Sequence, residues 1–287
     1  MSIWTDFLGA EIYFLETPGF GRVRIAEAGK DKQDTLILMH GTAGHLETYA
    51  KNLMPLSEDF HVIAYDFYGC GLSERRVTDF TPDLLADQLA VLMDVMRIDK
   101  AHLSGESLGG MVAAAFAVKH PARVMRLMLN TTGGLPITTA QGRKDHQALC
   151  DLISKVSTAP PTYDSIHDRM KWLMHPSHWH LLDGELVESR LNIYTQPDAK
   201  LSGPAIAKFI IGLESFPIAL EKIQAETMIL WTRDNPINNV DDARVASTKI
   251  PRARLYVMEA DGAHWPQYEA PEEFNRVTRD FFLNGLH

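Results

Sequence analysis

The chain has 287 residues, of which 45% are hydrophobic and 23% are charged, a composition typical of a globular protein. Its formal net charge is -9, with acidic and basic residues interspersed, which argues against nucleic acid and anionic membranes as partners. Cys70 and Cys150 form no C-x-x-C pair, so neither a zinc ribbon nor a redox motif is predicted. The first residues lack a basic segment followed by an apolar run, and no stretch approaches the roughly 18 apolar residues of a membrane span. We therefore expect a soluble, cytoplasmic protein.

Short apolar runs alternate with helical patterns along much of the chain, which indicates a mostly parallel sheet. Residues 11–15 and 22–27, joined by Pro18 and Gly19, predict an antiparallel hairpin. A helix is predicted over residues 81–96, where a Thr-Pro pair marks its start. Six further strands are predicted, each short and apolar enough to be buried on both faces: 35–39, 62–65, 101–104, 124–129, 228–231 and 254–257.

The alternation breaks between residues 134 and 216, where helical stretches interrupted by prolines contain no good strand. Helices inserted between two core strands predict a lid over the carboxyl edge of the sheet, where open α/β sheets bind their ligands. We expect residues 1–133 and 217–287 to form one core domain, with residues 134–216 as its cap.

A nucleophile motif follows the predicted strand at 101–104. Residues 105–110 read G-E-S-L-G-G and lead into a helix of small residues. The G-x-S-x-G pattern needs its glycines because the serine sits on a sharp strand-to-helix turn, where larger neighbours would collide. Such a turn exposes the serine oxygen and directs a helix N-terminus at developing negative charge. We predict that Ser107 is a nucleophile; the alternative is a glycine turn with a bystander serine.

The base and the acid are predicted from chain order. In the α/β-hydrolase fold the serine is followed by an acidic residue and then by a histidine. His264 lies on the loop after the last predicted strand, at the same sheet edge as Ser107. Asp234 ends the preceding strand and is predicted to fix the tautomer of His264. Asp261, beside Gly262, is interpreted as a turn former.

Two backbone N–H groups are predicted to form an oxyanion hole. A His-Gly turn after the strand at 35–39 makes Thr42 one donor, and Leu108, which follows the nucleophile, is the other. The alternative for the first is a simple turn between strand and helix. Three histidines at 175, 178 and 180 suggest a metal site, but Pro176 breaks the helix that would align such ligands, so no metal is predicted.

Beyond these motifs, the chain resembles the meta-cleavage product hydrolases. The resemblance extends over nearly the whole chain and is strongest in residues 101–110 and 264–276, where a histidine followed by Trp, Gln and an acidic residue is the most discriminating feature. These bacterial enzymes cleave a carbon–carbon bond in vinylogous 1,5-diketones formed by ring-opening of catechols. The resemblance implies an eight-stranded, mostly parallel α/β-hydrolase fold with a helical lid after the sixth strand.

The resemblance also implies roles for residues outside the triad. Arg190 on the lid would hold the substrate's carboxylate, which a guanidinium can bind bidentately, and Trp265 would pack along the dienoate. Taken without the resemblance, the two residues could be a surface arginine and a core tryptophan. The mechanism needs no metal or organic cofactor, and the family is commonly homo-oligomeric.

Three features depart from the family pattern. Glu106 stands where the family usually has asparagine, and its carboxylate would repel an anionic substrate unless Arg190 or a proton offsets it. The early loop is poorer in glycine, and it lacks an asparagine that the family often has there. Three other functions stay open: a carboxylesterase with the same triad, a ligand-binding receptor, and a lyase on the same fold.

Overall fold

One sheet forms the centre of the molecule. The computed structural model describes residues 2–156, 160–182 and 184–286. Within them the sheet has eight strands: β1 (Glu11–Thr17), β2 (Gly21–Ala28), β3 (Thr35–Met39), β4 (His61–Tyr65), β5 (Ala101–Glu106), β6 (Val124–Asn130), β7 (Glu226–Trp231) and β8 (Ala253–Val257). Their order is β1-β2-β4-β3-β5-β6-β7-β8. The pairs β1–β2 and β2–β4 are antiparallel and the other pairs are parallel, which confirms the predicted fold class.

The central strands are buried along their whole length. Every residue of β3 and of β5 is buried, as expected for parallel strands covered on both faces. Strand β5 extends two residues beyond its prediction, because Gly105 and Glu106 pair with Leu129 and Asn130 of β6. The strand therefore runs to the residue before Ser107, which places this serine directly at the carboxyl edge of the sheet.

Helices cover the sheet. The core contains α1 (Ala50–Leu56), α2 (Pro82–Val95), α3 (Leu108–Lys119), α8 (Val240–Ser247), α9 (Pro266–Glu269) and α10 (Pro271–Asn284). Helix α2 begins where the sequence predicts, because the Thr81 side chain accepts a hydrogen bond from the Leu84 N–H and proline occupies the first helical position. In the described part of the chain, no helix is both long and apolar enough to cross a bilayer.

Between β6 and β7 the chain forms a helical cap. Its helices are α4 (Ala140–Val156), α5 (Tyr163–Leu173), α6 (Glu185–Tyr194) and α7 (Ala199–Ile211). The inserted segment begins and ends at a narrow neck, where the Ile218 N–H donates to the Gly134 carbonyl at 3.0 Å. The Ser202 hydroxyl fastens α7 to the core by donating to the Gly69 carbonyl at 2.7 Å. The limits of the cap at residues 134 and 216 remain a prediction.

Candidate active site

Ser107 lies on a strained turn between β5 and α3. Its φ of 54° and ψ of -114° belong to a region that non-glycine residues occupy only where the surroundings enforce it. Two glycines make the turn possible. A Cβ on Gly105 would lie 2.1 Å from the Gly109 carbonyl oxygen, and a Cβ on Gly109 would lie 2.1 Å from that of Met39. The structure thus places Ser107 on the strand-to-helix turn predicted from the sequence, at the N-terminus of α3.

His264 follows β8 and lines the same chamber as Ser107. Its backbone N–H donates to the Leu173 carbonyl of the cap at 2.9 Å, and its carbonyl accepts from the Thr131 hydroxyl at 2.9 Å. Burial lowers the pKa of His264 to about 3, and the positive charge of Arg169 acts in the same direction. The imidazole is therefore neutral at pH 7 and can accept a proton.

Glu269 holds the loop that carries His264, a role that the sequence analysis did not identify. Its carboxylate is fully buried and accepts hydrogen bonds from the N–H groups of Ala263 and Trp265, each at 3.0 Å. It also accepts from the His175 N–H of the cap at 2.7 Å. Because Ala263 and Trp265 flank His264 in the chain, this carboxylate fixes the backbone on both sides of the imidazole.

The side chain that lies at the Nδ1 of His264 is that of Asn235 and not that of Asp234. The His264 Nδ1 lies 3.0 Å from the Asn235 Oδ1, which also accepts a hydrogen bond from the Ile237 N–H at 3.2 Å. Asp234 is not brought to His264, because its side chain is 60% exposed and its carboxylate lies 3.6 Å from the His175 Nε2. The loop after β7 turns successive side chains in different directions, so the acid predicted from the sequence points outward and its neighbour points inward.

Asn235 supplies an acceptor without a negative charge. The Ile237 N–H marks Oδ1 as the acceptor atom of the amide, so the His264 Nδ1 carries the proton and donates it to Asn235. This tautomer leaves the His264 Nε2 as the basic nitrogen. Asn235 can therefore orient His264, but it cannot neutralise an imidazolium as an aspartate would.

Glu106 brings a buried carboxyl group to the other nitrogen of His264. Its Oε1 lies 3.3 Å from the His264 Nε2, and the side chain is 2% exposed. Burial raises the pKa of Glu106 to about 8, against the lowering effects of the Arg190 charge and of a hydrogen bond from the Gly41 backbone. At pH 7 this carboxyl group is mainly protonated and neutral.

The remaining predicted site residues line the chamber that holds Ser107 and His264. Thr42 and Leu108, the predicted oxyanion donors, are both among them. Leu108 is the first residue of α3, and the first N–H groups of a helix have no intrahelical acceptor. Its N–H is therefore available to an oxygen beside Ser107.

Arg190 and Trp265 contact each other in the chamber that holds Ser107. Arg190 lies on α6 and is 2% exposed, and its Cζ lies 4.5 Å from the centre of the Trp265 ring. Its Nε has no hydrogen-bond partner among the described residues. Burial lowers the pKa of Arg190, but a guanidinium retains its charge in proteins. The chamber therefore contains a buried cation with unused hydrogen-bonding capacity.

A larger cavity of about 890 Å³ adjoins the chamber between the cap and the core. Ile153, Arg169 and Ile210 line both spaces. Most of its other lining residues are apolar or small, and they come from the loop after β4 and from cap helices α5, α6 and α7. A ligand at Ser107 can thus extend into a second, mainly apolar space.

The three clustered histidines of the cap do not form a metal site. The rings of His175 and His178 are 6.1 Å apart, and those of His178 and His180 are 6.3 Å apart. Within the described residues, no group of three His, Cys, Asp or Glu side chains is arranged to hold a metal ion. The His175 N–H instead donates to the Glu269 carboxylate.

Comparison with known proteins assigns the family. A family model described as the alpha/beta hydrolase fold matches residues 34–271. The chain belongs to the α/β-hydrolase fold family. Among solved structures, a meta-cleavage product hydrolase from Pseudomonas fluorescens IP01 superposes with a TM-score of 0.80 at 21% identity, covering 97% of this chain and 100% of the other. A thermophilic esterase from Thermogutta terrifontis gives a TM-score of 0.75 at 22% identity, covering 96% and 99%. At these identities the superpositions show a shared α/β-hydrolase fold only.

Curated relatives of this α/β-hydrolase are named as hydrolases of 2-hydroxy-6-oxo compounds. The chain is 30% identical over 279 residues to a 2-hydroxy-6-oxononadienedioate/2-hydroxy-6-oxononatrienedioate hydrolase from Comamonas testosteroni, covering 92% of both chains. It is 29% identical over 282 residues to a 2-hydroxy-6-oxo-6-phenylhexa-2,4-dienoate hydrolase from Burkholderia cepacia, again covering 92% of both. The protein is therefore a hydrolase related to the meta-cleavage product hydrolases, as the sequence motifs indicated.

Proposed function

We propose that the protein hydrolyses a carbon–carbon bond in an anionic vinylogous 1,5-diketone, the ring-cleavage product of a catechol. The observation that carries this proposal is Arg190, a buried guanidinium with an unpartnered Nε in the chamber of Ser107 and His264. A buried cation is costly unless an anion pairs with it, and a carboxylate can pair with a guanidinium through two hydrogen bonds. The two relatives named above are hydrolases of unsaturated 2-hydroxy-6-oxo carboxylates, which supports the same substrate class.

Binding precedes the chemistry in this proposal. Arg190 pairs with the carboxylate of the substrate, and Trp265, which packs against Arg190, lies along the conjugated chain. The dienol then ketonises, so that a proton moves from the enol oxygen to the carbon that will leave. After this step, the ketone next to the bond to be broken is no longer part of the conjugated system and can be attacked.

Ser107 carries out the cleavage. His264 takes the hydroxyl proton at Nε2 while the serine oxygen attacks the ketone carbon, and the N–H groups of Thr42 and Leu108 stabilise the resulting oxyanion. Collapse of this intermediate breaks the carbon–carbon bond, the bonding electrons pass to the departing fragment as an enolate, and the proton held by His264 is transferred to it, which releases a 2-hydroxydienoate and leaves an acyl group on Ser107. Water activated by His264 then hydrolyses the acyl-enzyme to a carboxylic acid.

The adjoining cavity would hold the substituent on the ketone side. Its volume of about 890 Å³ is large for a methyl or formyl group and has room for an aromatic ring or a branched alkyl chain. We therefore expect substrates with bulky apolar ketone substituents to be turned over with the lowest KM.

The test follows the yellow dienolates made by opening 3-substituted catechols. We expect their visible absorbance to decay with the enzyme, and Arg190→Ala to lower kcat/KM about 100-fold or more, because a buried charge pair is lost. Arg190→Lys retains the charge without the planar, two-pronged geometry of the guanidinium, so its kcat/KM should lie between those of the native enzyme and Arg190→Ala. Arg143→Ala removes an exposed arginine from cap helix α4 and is the matched control.

A carboxylesterase would give the opposite pattern. Rapid hydrolysis of p-nitrophenyl esters without bleaching of any dienolate would contradict the proposal and assign the site to ester hydrolysis. Such an enzyme has no need for an anion-binding arginine, so its activity would survive Arg190→Ala.

A further inference from the structure

Glu106 is an acidic side chain built into the reaction chamber. It is the last residue of β5 and immediately precedes the nucleophile, and it is 1% exposed. Its Oε1 has no hydrogen-bond partner among the described residues, although the side chain lines the chamber. A Cβ placed on Gly41 would lie 2.3 Å from its Oε2, so the carboxyl group also packs against the loop that carries Thr42.

The position of Glu106 puts it beside the atoms that react. The His264 Nε2, which takes the proton of Ser107, is 3.3 Å from its Oε1. This contact is not a hydrogen bond in the structure, so Oε1 is a buried polar oxygen without a hydrogen-bond partner among the described residues. Such an oxygen is costly to desolvate and is satisfied when a ligand brings a complementary group. A protonated carboxyl group can donate to a substrate oxygen, whereas a carboxylate can only accept.

The ionisable groups around Glu106 in the described part of the chain come from several elements: His40 and Tyr49 from the segment after β3, Arg169 and Arg190 from the cap, and His264 from the loop after β8. Burial lowers the pKa of His40 to about 4 and that of His264 to about 3, and it raises the pKa of Tyr49 well above its ordinary value. The Arg190 guanidinium retains its charge in proteins. Among these groups, Glu106 alone changes charge between pH 6 and pH 10.

We propose that Glu106 selects substrates by charge: its protonated form donates a hydrogen bond to an oxygen of the bound substrate, and its ionised form repels anionic substrates from the chamber. This inference rests on the proposed function, because it assumes that the substrate is an anion held by Arg190. The raised pKa of Glu106 agrees with it, since burial leaves the group neutral at pH 7 and ionised above about pH 8.

The size of the effect follows from Coulomb's law for two charges in one small chamber. Two like charges about 5 Å apart in a partly buried site repel strongly enough to change binding by about 10- to 100-fold. Arg190 offsets part of this repulsion, so the lower end of the range is expected for a substrate that pairs closely with it. A neutral substrate meets no such repulsion.

The experiment measures kcat/KM from pH 6 to pH 10 with two pairs of substrates. The first pair is a yellow dienolate and p-nitrophenyl butyrate; the second is p-nitrophenyl hemiglutarate, which carries a carboxylate, and the same neutral butyrate. We expect kcat/KM for the anionic substrates to fall about 10- to 100-fold above pH 8 in the native enzyme, relative to butyrate. Glu106→Gln keeps the size and a hydrogen-bond donor without the ionisation, so it should remove this alkaline decrease.

Glu106→Gln separates the ionisation of Glu106 from the other ionisations that affect kcat/KM. Ionisation of the dienol itself affects the native enzyme and Glu106→Gln equally, so only the difference between their profiles reports on Glu106. Glu106→Asp restores an ionisable group and should restore an alkaline decrease. Thermal unfolding of each variant shows whether it is folded under the assay conditions.

The inference is overturned if Glu106→Gln shows the same alkaline decrease as the native enzyme, or if butyrate shows it as strongly as the anionic substrates. Failure of the proposed function looks different: no dienolate is bleached at any pH. The two esters still test charge selection by Glu106 in that case, because they need only the nucleophile and the chamber.

Discussion

The Oδ1 of Asn235 lies 3.0 Å from the Nδ1 of His264, in the place where a serine hydrolase usually has a carboxylate. The Ile237 N–H holds this amide oxygen toward His264, so the histidine keeps the tautomer that makes Nε2 the base. The nearest carboxyl group to the imidazole is instead that of Glu106, on the side of Nε2. A neutral amide thus lies at the Nδ1 of His264, and a buried carboxyl group lies on its Nε2 side, in the residue before Ser107.

The first prediction concerns Asn235 and its neighbour Asp234. Asn235→Asp fits the same space and adds the charge that an imidazolium needs, so we expect kcat to rise about tenfold. Asn235→Leu removes the acceptor and should lower kcat about 100-fold, because the tautomer of His264 is no longer fixed. Both effects are measured from steady-state hydrolysis of the preferred substrate.

Asp234→Asn is the matched control for these variants. Asp234 is exposed and lies near His175, so its loss should change kcat less than twofold. A decrease of tenfold or more in Asp234→Asn, with little effect of Asn235→Leu, would show that Asp234 is the orienting acid after all.

The fold and the turn at Ser107 follow from local sequence because their causes are local. The turn at Ser107 depends on Gly105 and Gly109, because a side chain at either position would collide with the backbone. Both glycines can be read directly from the sequence. The predicted strands begin and end within two residues of the observed ones, because a short apolar run between turn residues is itself what indicates a strand. Strand β5 was underestimated since Gly105 and Glu106 have no strand propensity and are held there by their pairing with β6.

The side chain at the Nδ1 of His264 could not be predicted in the same way. Asp234 and Asn235 are adjacent, and which of them points inward depends on how the loop leaves β7 and not on residue type. The role of Glu269 arises from N–H groups that the fold brings to it from the His264 loop and from the cap. The neutral state of Glu106 depends on its burial, which the sequence does not reveal.

The second prediction concerns the hydrogen bonds that Glu269 accepts from the His264 loop. Glu269→Ala leaves the buried N–H groups of Ala263 and Trp265 without an acceptor, which typically costs about 1 to 3 kcal/mol for each unsatisfied group. We expect a lower free energy of unfolding in chemical denaturation, and a lower kcat because His264 loses its fixed backbone. Glu272→Ala, at an exposed position three residues away, should change neither quantity.

An unchanged unfolding free energy in Glu269→Ala would contradict this role. Glu269→Gln distinguishes charge from geometry, since an amide oxygen in the place of Oε1 can still accept from the N–H groups of Ala263 and Trp265, whereas its NH2 group cannot accept from the His175 N–H. We expect its stability to lie between those of the native protein and Glu269→Ala.

The third prediction is a pH dependence of stability caused by Glu106. Folding raises its pKa from the ordinary value of 4.5 to about 8, so between these values the folded protein holds a proton that the unfolded chain has released. The stability that this group contributes is therefore lost as the pH rises from 4.5 to 8, and it changes no further above pH 8. Glu106→Gln is neutral in both states and lacks this loss.

Thermal unfolding of both proteins from pH 5 to pH 9 measures the effect. The Tm of Glu106→Gln relative to the native protein should increase up to about pH 8 and then become constant. A difference in Tm that does not depend on pH would mean that Glu106 is ionised in the folded protein at neutral pH.

The most direct test of the central claim is single-turnover cleavage of a yellow dienolate in ¹⁸O-labelled water by the native enzyme and by Ser107→Ala. We predict loss of the visible absorbance with the native enzyme, formation of a 2-hydroxydienoate, and one ¹⁸O atom in the carboxylic acid product. Ser107→Ala should leave the carbon–carbon bond intact. Bleaching by Ser107→Ala at the native rate, or no cleavage of any dienolate by the native enzyme, would contradict the account.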